Sequence, residues 1–275
     1  MISFVGAGPG APDLLTLRGA GRLRAAEIVV WASSLVPEAV LGHCSSDVVL
    51  HDSAVMTLED VLAVFAGASD TTRIVRLHSG DPSVYGAIQE QLDWCRSNGR
   101  SVEIVPGVTS VAAAAAALGR ELTVPGLSQS VVLTRLAGRT AASMRPGEGV
   151  ATLAAAGVTM AVFLSGARPE ELQRELLAPG SSYDESTPAA VVVRVSWPDE
   201  QVVPTTVGGL AAAIRATAAT RTVLVLVGDV LGDSPVPARS HLYSPQHSTT
   251  FRLRSAPGTT SGRASRVGRA TDRNG

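Results

Sequence analysis

Four short stretches carry the residues that could do chemistry. Ser79-Gly-Asp-Pro82 sets a hydroxyl, a glycine, a carboxylate and a proline directly after the apolar run Ile74–Leu77. An acid among small residues at the carboxyl end of a strand is where open parallel sheets bind ligands. The same four residues also read as an ordinary turn, with Gly80 taking positive φ and Asp81 capping the next helix. Loops 6–13, 105–110 and 164–168 share this Gly, Pro, Ser and Thr make-up. Such loops present backbone N–H and C=O groups rather than side-chain charge. That suits a ligand of little anionic charge, such as an adenosine bearing an amino-acid tail, and suits triphosphates poorly.

Other chemistries find no support. The five histidines (43, 51, 78, 241 and 247) lack the short His/Cys spacings of a zinc site, so no metal is expected. Neither a GxSxG elbow nor a paired His/Cys arrangement occurs, and a Walker loop is excluded because the chain has no lysine. Gly6-x-Gly8-x-x-Ala11 fits a loose dinucleotide fingerprint. Pro9 and Pro12 count against it, since they stiffen the loop and remove N–H donors that a pyrophosphate needs. The next strand, Ile28–Trp31, also ends without an acid for a ribose.

Alternating apolar runs and periodic stretches must position these loops. Strands are expected at Ile2–Val5, Ile28–Trp31, Asp47–Leu50, Arg73–Leu77 and Val102–Val105. Helices are expected after Asp13 (with Leu14, Leu17 and Leu23 as its stripe), over Thr57–Phe65, from Ser83 to Ser97, and over the Ala-rich residues 111–118. This alternation predicts an α/β protein whose first domain, residues 1–118, holds a five-stranded parallel sheet flanked by helices. Residues 119–127 read as a linker. Residues 128–233 read as a second α/β domain, whose strands Ala189–Val195 and Gln201–Thr205 flank a short turn at Pro198; that makes its sheet mixed. Residues 234–254 form an extension. Ser255–Gly275 is Ser/Thr/Gly/Arg with hardly an apolar residue and is expected to be disordered.

A chain of 275 residues, 45% hydrophobic and 17% charged, can bury a substantial core. Its formal net charge of −1 makes neither nucleic acid nor an anionic membrane an electrostatic partner. Cys44 and Cys95 form no CxxC, which fits a reducing, cytoplasmic setting. Met1-Ile-Ser-Phe-Val enters a strand without the basic region of a signal peptide, and no apolar run reaches the length of a membrane span.

Taken together, Val5-Gly-Ala-Gly-Pro-Gly-Ala-Pro-Asp-Leu-Leu-Thr-Leu17, Ser79-Gly-Asp-Pro82 and Val105-Pro-Gly-Val-Thr-Ser110 resemble the tetrapyrrole (corrin/porphyrin) methyltransferase family. Four further stretches resemble its branch acting at C11 of a corrin precursor: Tyr85–Gln91, Thr123–Arg135, Ala137–Thr140 and Ser196–Glu200. The likeness runs over roughly residues 2–233. It implies a two-domain tetrapyrrole methylase-like fold, S-adenosylmethionine (SAM) held in the cleft as methyl donor, a tetrapyrrole substrate and a homodimer. Position by position, it implies cofactor contacts at Pro9, Ser79, Gly80, Asp81, Val84, Thr109, Ser110 and Leu164 or Ser165, with Val195 and Ser196 joining from the second domain. Trp31 and Ser33 depart from the residues common there.

A reduced tetrapyrrole has electron-rich carbons that can attack the sulfonium methyl themselves, so the chain needs no strong nucleophile. Its carboxylates call for arginines, and Arg135, Arg139 and Arg168 are the candidates. No general base is assigned; Asp52 and His78 are the residues to examine. Two alternatives stand beside C11 methylation. One is methylation at C17, C20 or C2/C7, and the other, of a different class, is a non-enzymatic nucleotide-binding module.

Overall fold

In the computed structural model, residues 1–137, 141–233, 240–250, 252, 254–256 and 259 are described. β1 (Ile2–Gly6), β2 (Ile28–Trp31), β3 (Val49–Asp52), β4 (Ile74–His78) and β5 (Val102–Val105) form one sheet in the order β3-β2-β4-β1-β5. Every pairing in it is parallel. β1 is buried along its whole length, as a central strand covered on both faces must be. α1 (Leu17–Ala25) contributes Leu23 to the core on one face. α2 (Leu58–Gly67) and α3 (Gln89–Ser97) contribute Val61, Phe65, Leu92 and Cys95 to the other. The chain therefore leaves adjacent strands β1 and β4 towards opposite faces, which opens a crevice at their carboxyl ends.

Two helix starts differ from the sequence expectation. α1 is capped by Thr16, whose Oγ1 accepts the Gly19 N–H at 3.1 Å, and not by Asp13. Pro12 instead heads a short 3-10 turn over Pro12–Leu14, so the α-helix begins one turn later. The helical stripe is correspondingly shifted: Leu15 and Leu23 are buried, while Leu17 is 94% exposed. α3 begins at Gln89 and not at Ser83. Tyr85 (φ +55°) and Ala87 (φ +49°) both lie in the left-handed region, where a right-handed helix cannot propagate.

β6 (Val131–Arg135), β7 (Thr159–Phe163), β8 (Pro188–Val193), β9 (Gln201–Thr206) and β10 (Val223–Val227) form the second sheet, in the order β6-β7-β10-β8-β9. Only the β6–β7 pairing is parallel, so the sheet is mixed as expected. α5 (Val150–Ala154), α6 (Pro169–Leu176) and α7 (Leu210–Ala216) cover one face with Val150, Leu172, Leu176, Leu210 and Ile214.

The other face is covered by α4 (Ser110–Leu118), which follows β5 in the first sheet. Val111, Ala113 and Ala114 of α4 pack with Ala161, Val192, Leu224 and Leu226. Its alanines bring the helix close to the second sheet, so the last helix of the first series joins the two halves.

The extension reaches past its expected end. Ser255 is buried, and its N–H donates to the Pro245 carbonyl at 2.7 Å. Residues 260–275, the bulk of the tail expected to be disordered, lie outside the described residues.

Candidate functional site

Three glycines from three strand ends meet at the crevice. A Cβ on Gly6 would stand 2.6 Å from the Gly107 Cα and from the Gly80 carbonyl oxygen, and one on Gly107 would stand 2.1 Å from that same oxygen. Only glycine permits this approach. Backbone hydrogen bonds then lace the loops together. Gly80 N–H donates to the Gly8 carbonyl at 2.8 Å, Gly8 N–H to the Gly80 carbonyl at 3.2 Å, and Ala7 N–H to the His78 carbonyl at 2.7 Å. Asp81 completes the lacing. Its Oδ2 accepts the Gly107 N–H at 2.8 Å, and its Oδ1 accepts the Ser83 N–H at 2.8 Å and the Ser83 hydroxyl.

Segments from the second sheet close on this assembly at two places. Trp197 Nε1 donates to the Pro9 carbonyl at 3.0 Å, and the Ser196 Oγ accepts the Ala11 N–H at 2.9 Å. Gly10 leaves room for the indole, since a Cβ there would lie 2.2 Å from the Trp197 Cδ1. At the second place, the Tyr85 ring meets Phe163 with centroids 5.0 Å apart and planes at 60°. Five non-glycine residues with positive φ cluster in these facing segments: Tyr85, Ala87, Leu164, Arg194 and Ser196. Backbone strain of this kind persists where surrounding structure imposes it, and it concentrates at ligand sites.

The predicted cofactor residues fall on these loops, in different states. Ser79 is exposed and has no hydrogen-bond partner among the described residues. Gly80 has φ +62°, and its Cβ direction is open to 3.9 Å. Pro9 is buried, Val84 half-buried and Leu164 66% exposed. Thr109 caps α4, its Oγ1 accepting the Ala112 N–H at 3.3 Å, with Ser110 next to it at the helix start. Ser165 is fully buried, with its hydroxyl turned to the Val162 carbonyl at 3.5 Å, and Val195 packs in the core beside Val111.

Of the arginines, Arg135 ends β6 and donates to Ser143 Oγ at 2.8 Å. Arg168 is already engaged by both Glu171 oxygens, at 3.0 and 2.9 Å, and by the Ala137 carbonyl. Arg139 lies outside the described residues.

Neither residue considered as a base has an ordinary environment. Asp52 accepts the Ser33 hydroxyl at 2.6 Å and the backbone N–H groups of Ser33 and Ala54, which hold its carboxyl below the usual range. His78 is 7% exposed, and burial, aided by Arg76, pushes its imidazole down to about 3, so it stays neutral. It stacks on Phe4, and its Nε2 has no partner among the described residues. Asp81 is desolvated, but the hydrogen bonds from Ser83 and Gly107 outweigh that and keep it ionised. Among the described residues, no cluster of His, Cys, Asp or Glu could hold a metal, and no helix is long and apolar enough to cross a membrane.

Gly6, Gly107, Trp197 and Phe163 were not singled out from sequence. The two glycines and Trp197 stood inside quoted motifs, but the glycines' mutual contact depends on strand order. Trp197 and Phe163 act across domains, which no local pattern reveals.

Comparison with known proteins places this geometry. Residues 1–211 match the model of a family described as tetrapyrrole (corrin/porphyrin) methylases. A precorrin-4 C(11)-methyltransferase of Rhodococcus erythropolis is 41% identical over 244 residues, covering 88% of this chain and 96% of the relative. The crystal structure of a cobalt precorrin-4 methyltransferase, a cobalamin biosynthetic enzyme, superposes with a TM-score of 0.79 at 39% identity, over 84% of this chain and 95% of that one. A uroporphyrin-III C-methyltransferase from Thermus thermophilus, complexed with S-adenosyl homocysteine, gives a TM-score of 0.67 at 27% identity, over 84% and 98%.

Proposed function

Because the chain belongs to the tetrapyrrole (corrin/porphyrin) methylases, we propose that it methylates C11 of precorrin-4 with SAM in cobalamin biosynthesis. The observation that carries the cofactor reading is the glycine contact of Gly6, Gly80 and Gly107, bolted by Asp81. It makes a rigid rim of backbone groups and small side chains with little net charge. Such a rim fits an adenosine and a zwitterionic amino-acid tail.

SAM supplies an electrophilic methyl on sulfonium. The protein's own part is alignment and exclusion of water. Ser79 offers a free hydroxyl at the rim, and the Gly80 face leaves the space a ligand needs. Thr109 and Ser110 border that space from the start of α4. The Trp197–Pro9 and Ser196–Ala11 bonds hold the second domain over it. Leu164 presents an exposed apolar side chain from the opposite wall. The macrocycle carbon serves as its own nucleophile, and no residue of the chain is assigned as its base. Arg135 is the arginine best placed for a substrate carboxylate, being half-buried at the end of β6 beside Phe163. The same family reading carries a homodimer and a cytoplasmic setting.

The deciding experiment supplies 13C-methyl SAM and enzymatically prepared precorrin-4, then locates the label by NMR. A label at C11 supports the reading; a label at C17, C20, C2 or C7 replaces it with another ring position.

A further inference from the structure

The segment between Asp81 and α3 is built to push one aromatic ring out of the first domain. Pro82–Tyr85 turns tightly: a Cβ on Gly86 would lie 2.2 Å from the Pro82 carbonyl oxygen, so the chain doubles back on itself. Tyr85 and Ala87 on either side hold positive φ. A bulky aromatic in that region costs about 1–2 kcal/mol, so something must hold it there.

Two devices hold it, one from each end. Upstream, Asp81 grips Ser83 through backbone and hydroxyl. Downstream, the buried Gln91 donates its amide Nε2 to the Ala87 carbonyl at 3.1 Å. Gln91 is fixed in turn by Arg76, whose Nε donates to its Oε1 at 3.3 Å. Arg76 is anchored at Nη1 by the Val30 carbonyl at 3.2 Å and the Ser53 Oγ at 3.0 Å, and no carboxylate pairs with it among the described residues. A desolvated guanidinium spent entirely on neutral acceptors is costly. Here it props the strained turn.

The result is that Tyr85 remains half exposed, its ring tilted at 60° against Phe163 across the gap, next to the exposed Leu164, which also holds positive φ. Arg135 pairs in register with Phe163; burial pushes the Tyr85 hydroxyl up, with Arg135 acting against that and Glu148 with it, so both charged groups lie near the ring. An apolar floor with a guanidinium near its edge matches a macrocycle: a broad, largely apolar ring face with carboxylates at its edge.

Building on the methylase reading above, we propose that Tyr85 and Phe163 form the platform on which one face of the tetrapyrrole lies, and that Gln91 is the positioning residue that aims Tyr85.

Steady-state methyl transfer from SAM to precorrin-4 tests this with Tyr85→Ala, Tyr85→Phe and Gln91→Leu. Tyr85→Ala should raise the tetrapyrrole KM at least tenfold while leaving the SAM KM within twofold, and Tyr85→Phe should stay within threefold for both. Gln91→Leu should raise the tetrapyrrole KM and leave the SAM KM unchanged. An unaltered tetrapyrrole KM in Tyr85→Ala, or equal losses for both ligands, overturns the platform. Should Tyr85→Ala fail to fold, the wild-type enzyme decides: its Tyr85 ring protons should show intermolecular NOEs to the macrocycle when this is added to the S-adenosylhomocysteine complex, and their absence overturns the proposal. Wild-type inactivity on precorrin-4 would remove the C11 reading and the platform together, whereas an active wild type with an unaffected Tyr85→Ala removes the platform alone.

Discussion

The Asp81 carboxylate accepts the Gly107 N–H at 2.8 Å, tying the loop after β4 to the loop after β5. Its other oxygen is taken by Ser83. Both oxygens are engaged inside the protein, which fixes the rim of the crevice. Asp81→Ala would leave the Gly107 and Ser83 N–H groups unpaired and loosen both loops. We predict that SAM binding weakens by about 1–3 kcal/mol, the cost of charge-assisted bonds of this kind. Calorimetric titration of a folded Asp81→Ala protein checks it, and an unchanged Kd would dismiss the role.

Thr109 carries a different burden. Its hydroxyl oxygen caps α4, the helix that packs against the second sheet. Thr109→Val should therefore cost about 0.5–2 kcal/mol of stability, the usual loss for an N-cap. Thr109→Ser should restore it. Denaturant midpoints for the two variants give the answer, and equal midpoints would mean that the cap contributes nothing.

His78 gives the protein an acid sensitivity with a definite sign. In the folded state its imidazole is pushed down to about 3 by burial and then by Arg76, against 6.5 for the free group. The unfolded chain therefore binds a proton that the folded one refuses. Stability from this site is whole above pH 6.5, falls as pH drops below it, and levels off below about 3. At about 1.4 kcal/mol per pH unit, the loss between pH 7.5 and 5 is about 2 kcal/mol. His78→Phe, which keeps a ring beside Phe4, should lose about 2 kcal/mol less than wild type over that interval. Parallel slopes in urea titrations of the two proteins would refute the assignment.

The parallel first sheet and mixed second sheet were legible in the sequence because buried parallel strands read as apolar runs and the helices between them as periodic ones. The loops at the crevice were legible by composition. What local pattern missed was non-local. Asp13 looked like a cap, but Pro12 shifted the helix start to Thr16. Ser83 looked like a helix start, but the left-handed residues Tyr85 and Ala87 postponed it to Gln89. Positive φ at an aromatic such as Tyr85 has no signature in neighbouring residues. That Glu171, one turn along α6, engages Arg168 was likewise not read from the sequence.

The glycine contact allows a ranking that a simple turn would not produce. At Gly107 an added Cβ meets backbone atoms on two sides, the Gly80 carbonyl oxygen at 2.1 Å and the Gly6 Cα at 2.8 Å. Neither can move without opening the sheet ends, so Gly107→Ala should separate the three loops. At Gly80 the nearest atoms to a Cβ are 3.9 Å away, and the penalty comes from φ +62° alone. Alanine there should cost about 1 kcal/mol of stability and keep much of the SAM affinity. Valine is worse on both counts: its branched Cβ resists positive φ, and its methyls project into the open side of the rim. Affinity for SAM should therefore fall in the order wild type, Gly80→Ala, Gly80→Val, with Gly107→Ala as weak as Gly80→Val although it adds only one methyl. Circular dichroism establishes folding and calorimetry the order. A Gly107→Ala protein that binds SAM as well as wild type would show that the loops do not need to touch, and that the rim is not what holds the cofactor.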